Sequence, residues 1–260
     1  MCALNVVKGM KLYMERLQKV IANCGYCSRR KAEKLIVENR VTVNGKLVNQ
    51  LGVQVSDKDK IEIDGVRLER QDKVYFLLNK PRGVVTTVHD EKNRKTVVDL
   101  IDTGKRIYPI GRLDYDTTGV LLLTNDGEFA HLLMRPNDAI DKVYIAKVEG
   151  IFSVDAFREL KKGVKVGNEV YHASRVKVRK VDSKNKKTLV EITLHEGKNH
   201  QVKKMLQAVG FPVIKLKRER FAFLTTGSLL SGEYRELSPK EVHQLFALAS
   251  KGKEKKIRNK

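Results

Sequence analysis

The spacing of apolar and polar positions changes several times along the chain. Tyr13, Leu17, Val20, Ile21 and Cys24 recur every three or four residues, which predicts an amphipathic helix. "RRKAEKLIVEN" predicts a second helix, with Ala32, Leu35 and Ile36 as its buried stripe and Ser28 as its N-cap. The period then falls to two in "VTVNGKLV" and "IEIDGVRL", where Asn44-Gly45 and Asp64-Gly65 mark hairpin turns. "ERQDK", residues 69–73, is a polar joint. Beyond it "VYFLLN" reads as a strand entering the turn "KPRG". Strand-like runs follow at 84–88, 107–110, 120–124, 143–148, 176–181, 189–194 and 213–216. Helices are predicted over 128–134, over 155–162 and after Ser238, where Pro239 and Glu241 complete a capping box. "KGKEKKIRNK" predicts a disordered basic tail. This order is not a βαβ alternation. The expected fold class is α+β, a small first domain followed by a mixed, mainly antiparallel sheet with flanking helices.

Length and charge narrow the function. The 260 residues, 41% hydrophobic, suit a small domain plus a medium one. Lys and Arg number 52 against 31 Asp and Glu, a net charge of +21, which favours a polyanionic partner such as nucleic acid. No apolar stretch approaches the roughly 18 residues of a membrane span. The N-terminus lacks the apolar block of a secretory signal, so the expectation is a soluble, cytoplasmic protein. Arg29, Arg30, Lys31 and Lys34 crowd the start and outer side of the second helix, where the helix dipole disfavours cations. Phosphate binding and an ordinary solvated face both remain open for them. Cys2, Cys24 and Cys27 include one C-x-x-C pair, fewer ligands than a zinc site needs, so they read as small core residues and no metal is expected.

"GRLDYDTTGVLLLTNDG", residues 111–127, places Asp114 in a polar loop before an apolar strand. The D-x-D-x-T-G spacing partly imitates a calcium loop. Asn125, however, stands where that loop needs a bidentate Glu, and Pro109 and Gly111 interrupt the entering segment. A plain turn stays open, since Asp and Gly are default turn residues. A second polar loop, "EGKNHQVKKM" at 196–205, offers Lys198, His200, Gln201, Lys203 and Lys204. If the two loops converge, an acid faces a base in a basic cleft.

Two resemblances join these pieces. "CSRRKAEKLIVENRVTVNG" resembles the alpha-L RNA-binding domain, over residues 14–70; the first dozen residues lie outside it, and Met10 and Met14 are alternative starts. "NKPRG" at 79–83, "GRLDYDTTGVLLLTNDG", "KVYIAKVEG" at 142–150 and "EGKNHQVKKMLQAVGFPVIKL" at 196–216 resemble, in order and spacing, the motifs of ribosomal RNA pseudouridine synthases of the RsuA/RluB type. That resemblance implies a catalytic domain over 74–249, with Asp114 as the catalytic aspartate. Tyr144 matches the tyrosine that lies against the target base, and Lys203 the basic residue, usually arginine, that pairs with the carboxylate. Arg112 matches the arginine that helps hold the displaced RNA open. Thr118 stands where serine is common and keeps the hydroxyl.

The resemblance further implies RNA contacts at Arg29, Arg30, Lys31, Lys34, Lys80, Lys198, His200, Gln201 and Lys204. His131 and His195 read as structural or RNA-facing. Isomerising uridine adds, oxidises and reduces nothing, so no cofactor is expected. The implied partner is ribosomal RNA, bound by a monomer without a membrane. The uninterrupted "GKNHQVKKM" and the basic tail lie nearer the RluB than the RsuA branch, which points to large-subunit 23S RNA. The alternatives are the same reaction on 16S RNA, a non-catalytic assembly factor that keeps the fold, or a different RNA-modifying enzyme.

Overall fold

The computed structural model describes residues 4–7, 10–135 and 140–258, with side-chain burial described for 14–135 and 140–251. Cys2 lies outside the described residues. The chain forms two compact units: one of Met1–Lys73 with Thr103–Arg106, the other of Val74–Asp102 with Ile107–Lys260.

In the first unit, strands β1 (Leu4–Val7) and β2 (Met10–Tyr13) pair antiparallel. After them come β3 (Glu15–Arg16), helices α1 (Leu17–Asn23) and α2 (Arg29–Val37), and five short strands: β4 (Val41–Val43), β5 (Lys46–Leu47), β6 (Gln54–Val55), β7 (Ile61–Ile63) and β8 (Val66–Arg67). Tyr13 therefore belongs to a strand, not to the first helix as its spacing predicts. Pairing of β3 with β6 claims the backbone just before Leu17, whose N–H donates to Val53 O at 2.8 Å, so the helix starts only there. Leu17, Ile21, Leu35, Ile36, Val41, Ile61 and Ile63 form the core of this unit, with Cys24 and Cys27 buried among them as free thiols. Burial pushes both thiols up, over the opposing charges of Arg70 and Lys73 on Cys24 and of Lys31 and Arg106 on Cys27. Ser28 caps α2 by accepting from Lys31 N. Both hairpin turns use left-handed pairs: Asn44 and Gly45 at φ 54° and 76°, Asp64 and Gly65 at 52° and 79°.

The second unit contains β9 (Tyr75–Lys80), β10 (Tyr108–Pro109), β11 (Thr118–Thr124), α3 (Gly127–Met134), β12 (Lys142–Glu149), α4 (Val154–Lys162), β13 (Val164–Val166), β14 (Glu169–Tyr171), β15 (Arg175–Asp182) and β16 (Lys187–Leu194). Then follow α5 (Gln201–Ala208), β17 (Val213–Phe221), β18 (Leu224–Thr225), β19 (Tyr234–Glu236) and α6 (Pro239–Arg258). The main sheet runs β15-β16-β12-β17-β11-β9-β19, with β10 on β11 and β18 on β17. Among the described residues of this sheet only β11 and β17 pair in parallel; the sheet is mixed and mainly antiparallel.

Alternation along the central strands feeds two cores. Phe76, Leu78, Leu121, Leu123 and Ala146 pack with Ala156 and Leu160 of α4 and with Val202, Met205 and Leu206 of α5. Leu77, Val120 and Leu122 pack on the other side with Phe129, Ala130 and Leu133 of α3 and with Leu245 and Ala249 of α6. Gly119 makes the parallel pairing possible. Its φ is +102°, and a Cβ there would meet Arg218 O at 2.2 Å.

Three further expectations change. Residues 84–88 form no strand beyond a single bridge, Val85 to Thr96. There the Thr86 hydroxyl donates to Leu113 O at 2.6 Å and the Thr87 hydroxyl to His89 O at 2.8 Å, holding the segment to loops rather than to a ladder. The β13–β14 hairpin has no counterpart in the predicted elements. The basic tail continues α6 to Arg258, because Lys, Glu, Ile and Arg are compatible with a helix and no proline stops it. The capping box at its start is present: Ser238 N donates to Glu241 Oε2 at 2.8 Å and Glu241 N to Ser238 Oγ at 3.3 Å.

Candidate active site

The loop from β10 into β11 is tied down from below. Lys80, at the end of β9, is wholly buried and donates from Nζ to Pro81 O (3.0 Å), Asp114 O (3.1 Å) and Thr117 O (3.1 Å). Burial pushes its pKa down to about 8, against the supporting charges of Asp114 and Asp116 and with a further lowering from Lys203. Lys80 is therefore not the RNA contact expected of it: all three bonds go to backbone carbonyls inside the fold. Thr117 N donates to Asp114 O at 3.1 Å and Gly83 N to Tyr115 O at 2.9 Å, which closes the turn. Leu113 is buried and Asp114 projects beside it, partly exposed.

The second loop leaves β16 and enters α5. Gln201 braces it from inside: its Nε2 donates to Glu196 Oε1 at 2.7 Å, and its Oε1 accepts from Lys198 N at 3.1 Å. Buried and occupied at both ends, Gln201 also departs from the RNA-contact expectation. His200 takes a left-handed conformation, φ 53°, at the N-cap of α5.

The two loops meet. Lys203 Nζ lies 3.0 Å from Asp114 Oδ2 and 2.5 Å from Asp116 Oδ1, and His200 Nδ1 lies 2.9 Å from Asp114 Oδ2. For the Asp116 carboxyl, burial alone would raise its pKa. The hydrogen bond and charge of Lys203, with the charge of Arg82, outweigh that and hold it below the ordinary value. Burial would likewise lower Lys203, and its two carboxylate partners raise it instead. The arrangement keeps a fixed cation on a carboxylate that remains partly open to a ligand.

A cleft of about 880 Å³ opens over Asp114. Tyr144 from β12, mostly buried, lines it together with Arg112, Asp114, Lys198 and His200. Arg112 is exposed. Lys198 pairs with Glu169 at 3.3 Å and lies 5.0 Å from the centre of the Tyr171 ring. Lys204, on α5, is half-buried. In the first unit Arg29, Arg30, Lys31 and Lys34 are all exposed, Lys34 with Glu38 at 3.6 Å. His195 has its Nε2 3.0 Å from Asp141 Oδ1, and Arg135 Nε donates to His131 Nε2 at 3.0 Å.

Two participants have no distinct signal in the sequence: Asp116 stands in its loop as a default turn residue, and Arg218 is one of several cations on β17. His200, expected as an RNA contact from the second loop, meets the acid itself. Among the described residues, no group of three or more His, Cys, Asp or Glu is arranged to hold a metal ion, and no helix is long and apolar enough to cross a membrane.

The chain thus joins a small helix-and-hairpin unit to a sheet domain whose cleft holds a carboxylate with a lysine beside it. Residues 74–208 match the RNA pseudouridylate synthase family model and residues 15–61 the S4 domain model. The chain belongs to the RNA pseudouridylate synthase family, in its RsuA type, and carries an S4 RNA-binding domain. It is 52% identical to ribosomal large subunit pseudouridine synthase B of Bacillus subtilis, over 92% of this chain and 99% of that one. It is 34% identical to the dual-specificity RNA pseudouridine synthase RluF of Escherichia coli, over 90% of this chain and 79% of that one. A crystal structure of a pseudouridylate synthase aligns with a TM-score of 0.63 and 31% identity, covering 88% of this chain and 99% of that one.

Proposed function

We propose that this enzyme converts a specific uridine of large-subunit 23S ribosomal RNA to pseudouridine, with Asp114 as the acting carboxylate. The observation that carries this reading is the 3.0 Å approach of Lys203 to Asp114 at the cleft. In the reaction the bond from ribose C1′ to uracil N1 breaks and a bond from C1′ to C5 forms. C5 gives up its proton and N1 gains one, so atoms and electrons balance without an added reactant. An ionised carboxylate serves each route by which the bond can be broken, whether it attacks as nucleophile or removes a proton. Lys203 places a positive charge 3.0 Å from that carboxylate.

Tyr144 presents an aromatic ring to the uracil once it is detached, a stacking interaction worth about 1–3 kcal/mol. The target nucleotide must leave its stack to reach Asp114, at a cost of a few kcal/mol. Exposed Arg112 at the cleft, and Arg29, Arg30, Lys31 and Lys34 on the first unit, supply backbone contacts that offset it. The 23S assignment is supported by the 52% identity to a relative named as a large-subunit enzyme. We place the bounds of the two domains at 14–70 and 74–249 and take the enzyme to act as a monomer in the cytoplasm.

The test is a single-turnover assay on 23S and 16S fragments, reading the conversion of uridine to pseudouridine at constant mass. Asp114→Asn keeps the size of the side chain but removes its charge. The variant is expected to bind RNA as the parent does while conversion falls by orders of magnitude. Conversion by Asp114→Asn at the parent rate would overturn the assignment, and conversion confined to 16S fragments would overturn the 23S choice.

A further inference from the structure

Behind Tyr144 the cleft holds two buried cations that the reaction described above does not use. Arg218, on β17, is the cross-strand partner of Tyr144 on β12 and is 3% exposed. Its Nε donates to Val120 O at 2.6 Å, while its Nη2 is buried with no hydrogen-bond partner. Lys142, two residues before Tyr144, is 7% exposed and donates from Nζ to His195 O at 3.0 Å. Both line the same cleft as Asp114. Among the described residues neither forms a salt bridge to a carboxylate; burial disfavours the charged form of Lys142 and the Arg218 charge adds to that, against the opposing charge of Glu196. A guanidinium N–H buried without an acceptor is costly, and two buried like charges side by side add to that cost. An anionic oxygen delivered from outside relieves both.

We propose that Arg218 and Lys142 form a phosphate subsite in the floor of the cleft, which takes a phosphodiester flanking the flipped uridine. The inference rests on the reading that this cleft receives the target nucleotide. Arg218 suits the task because its guanidinium is already held at Nε by Val120 O, leaving Nη2 fixed in direction and without an acceptor. Gly119 contributes by letting β11 come close enough for that anchor, since a side chain there would strike Arg218 O. Holding a phosphate adjacent to the reacting ribose sets where C1′ lies relative to Asp114, so the pair acts as positioning residues.

The experiment uses the full-length enzyme and an rRNA fragment that it converts. Each phosphate within two nucleotides of the target is replaced in turn by an uncharged methylphosphonate beside a 2′-deoxy sugar, against a 2′-deoxy phosphodiester control. Neutralising one flanking phosphate is expected to lower kcat/KM about 10- to 100-fold with the parent enzyme, the range for a charge-assisted hydrogen bond. Arg218→Gln should lose a similar factor on natural RNA and then be indifferent to that same methylphosphonate. A substitution that merely damaged the fold would leave the sensitivity in place.

If Arg218→Gln does not fold, as judged by thermal unfolding, the scan with the parent enzyme and with Lys142→Met decides. Tolerance of every methylphosphonate, or equal sensitivity of parent and variant at the same linkage, would overturn the subsite. Failure to convert any unmodified rRNA fragment would instead overturn the functional reading itself, so the two failures are distinguishable.

Discussion

Lys203 lies closer to Asp116, at 2.5 Å, than to Asp114, at 3.0 Å. One ammonium is thus shared by two carboxylates, only one of which also meets His200. Asp116 fixes the lysine from the side, so that Lys203 stays beside Asp114 without enclosing it. Lys203→Arg keeps the charge and is expected to retain conversion within about tenfold of the parent. Lys203→Met leaves both acids without their cation and is expected to reduce single-turnover conversion by at least about 100-fold.

The same pair gives a pH signature in stability. The Asp116 pKa is lowered, so its contribution is full above the unfolded carboxylate value, about 4, and is lost as pH falls through the folded value. The Lys203 pKa is raised, so its contribution is full below the unfolded value of 10.5 and is lost as pH rises through the folded value. The difference in Tm between the parent and Lys203→Met is therefore expected to be widest between about pH 4 and 10.5 and to narrow at both ends. Partial exposure keeps it small, about 1 kcal/mol. A difference that does not vary with pH would show that packing of the lysine stem, not charge, is what the variant loses.

Lys80 behaves as a structural cation. Lys80→Met strands three carbonyls and is expected to destabilise the enzyme by at least about 2 kcal/mol in denaturant titration. The salt dependence of RNA binding should not change. With a folded pKa of about 8 against 10.5 unfolded, the unfolded chain binds more protons between those values, so Lys80 makes stability rise with pH across that window. That rise should vanish in the variant. A reduced salt slope for Lys80→Met would restore the direct RNA contact.

The exposed basic face of α2 should read phosphates additively. Reversing Arg29, Arg30 and Lys31 to Glu is expected to weaken rRNA binding and to flatten its log–log salt dependence, by roughly 0.7–0.9 for each phosphate no longer neutralised. Filter binding across a salt series measures it. An unchanged slope would leave these side chains as a solvated face.

Limited proteolysis tests the domain bounds. We expect the first cut within residues 69–73, releasing a fragment that ends near residue 70. Cleavage only after global unfolding would mean that 14–70 and 74–249 are not separable domains.

The features legible along the chain alone were local ones. The Asn44-Gly45 and Asp64-Gly65 turns, the Ser28 and Ser238 caps and the buried stripe of α2 depend on neighbours a few positions away, and their dihedral and hydrogen-bonding preferences travel with those residues. The mainly antiparallel sheet was legible for the same reason, from short alternating runs without regular crossover helices. The family resemblance pairs Lys203 with Asp114, but that Asp116 and His200 join them is set only by the folded arrangement. Asp114 and His200 are 86 positions apart and Asp116 and Lys203 87, and they meet only because their loops extend from strands of one sheet. The buried roles of Lys80, Gln201 and Arg218 were illegible because a lysine, a glutamine or an arginine has the same composition whether it faces water or a row of carbonyls. What distinguishes the two is desolvation, and that is set by how strands and helices close over the side chain.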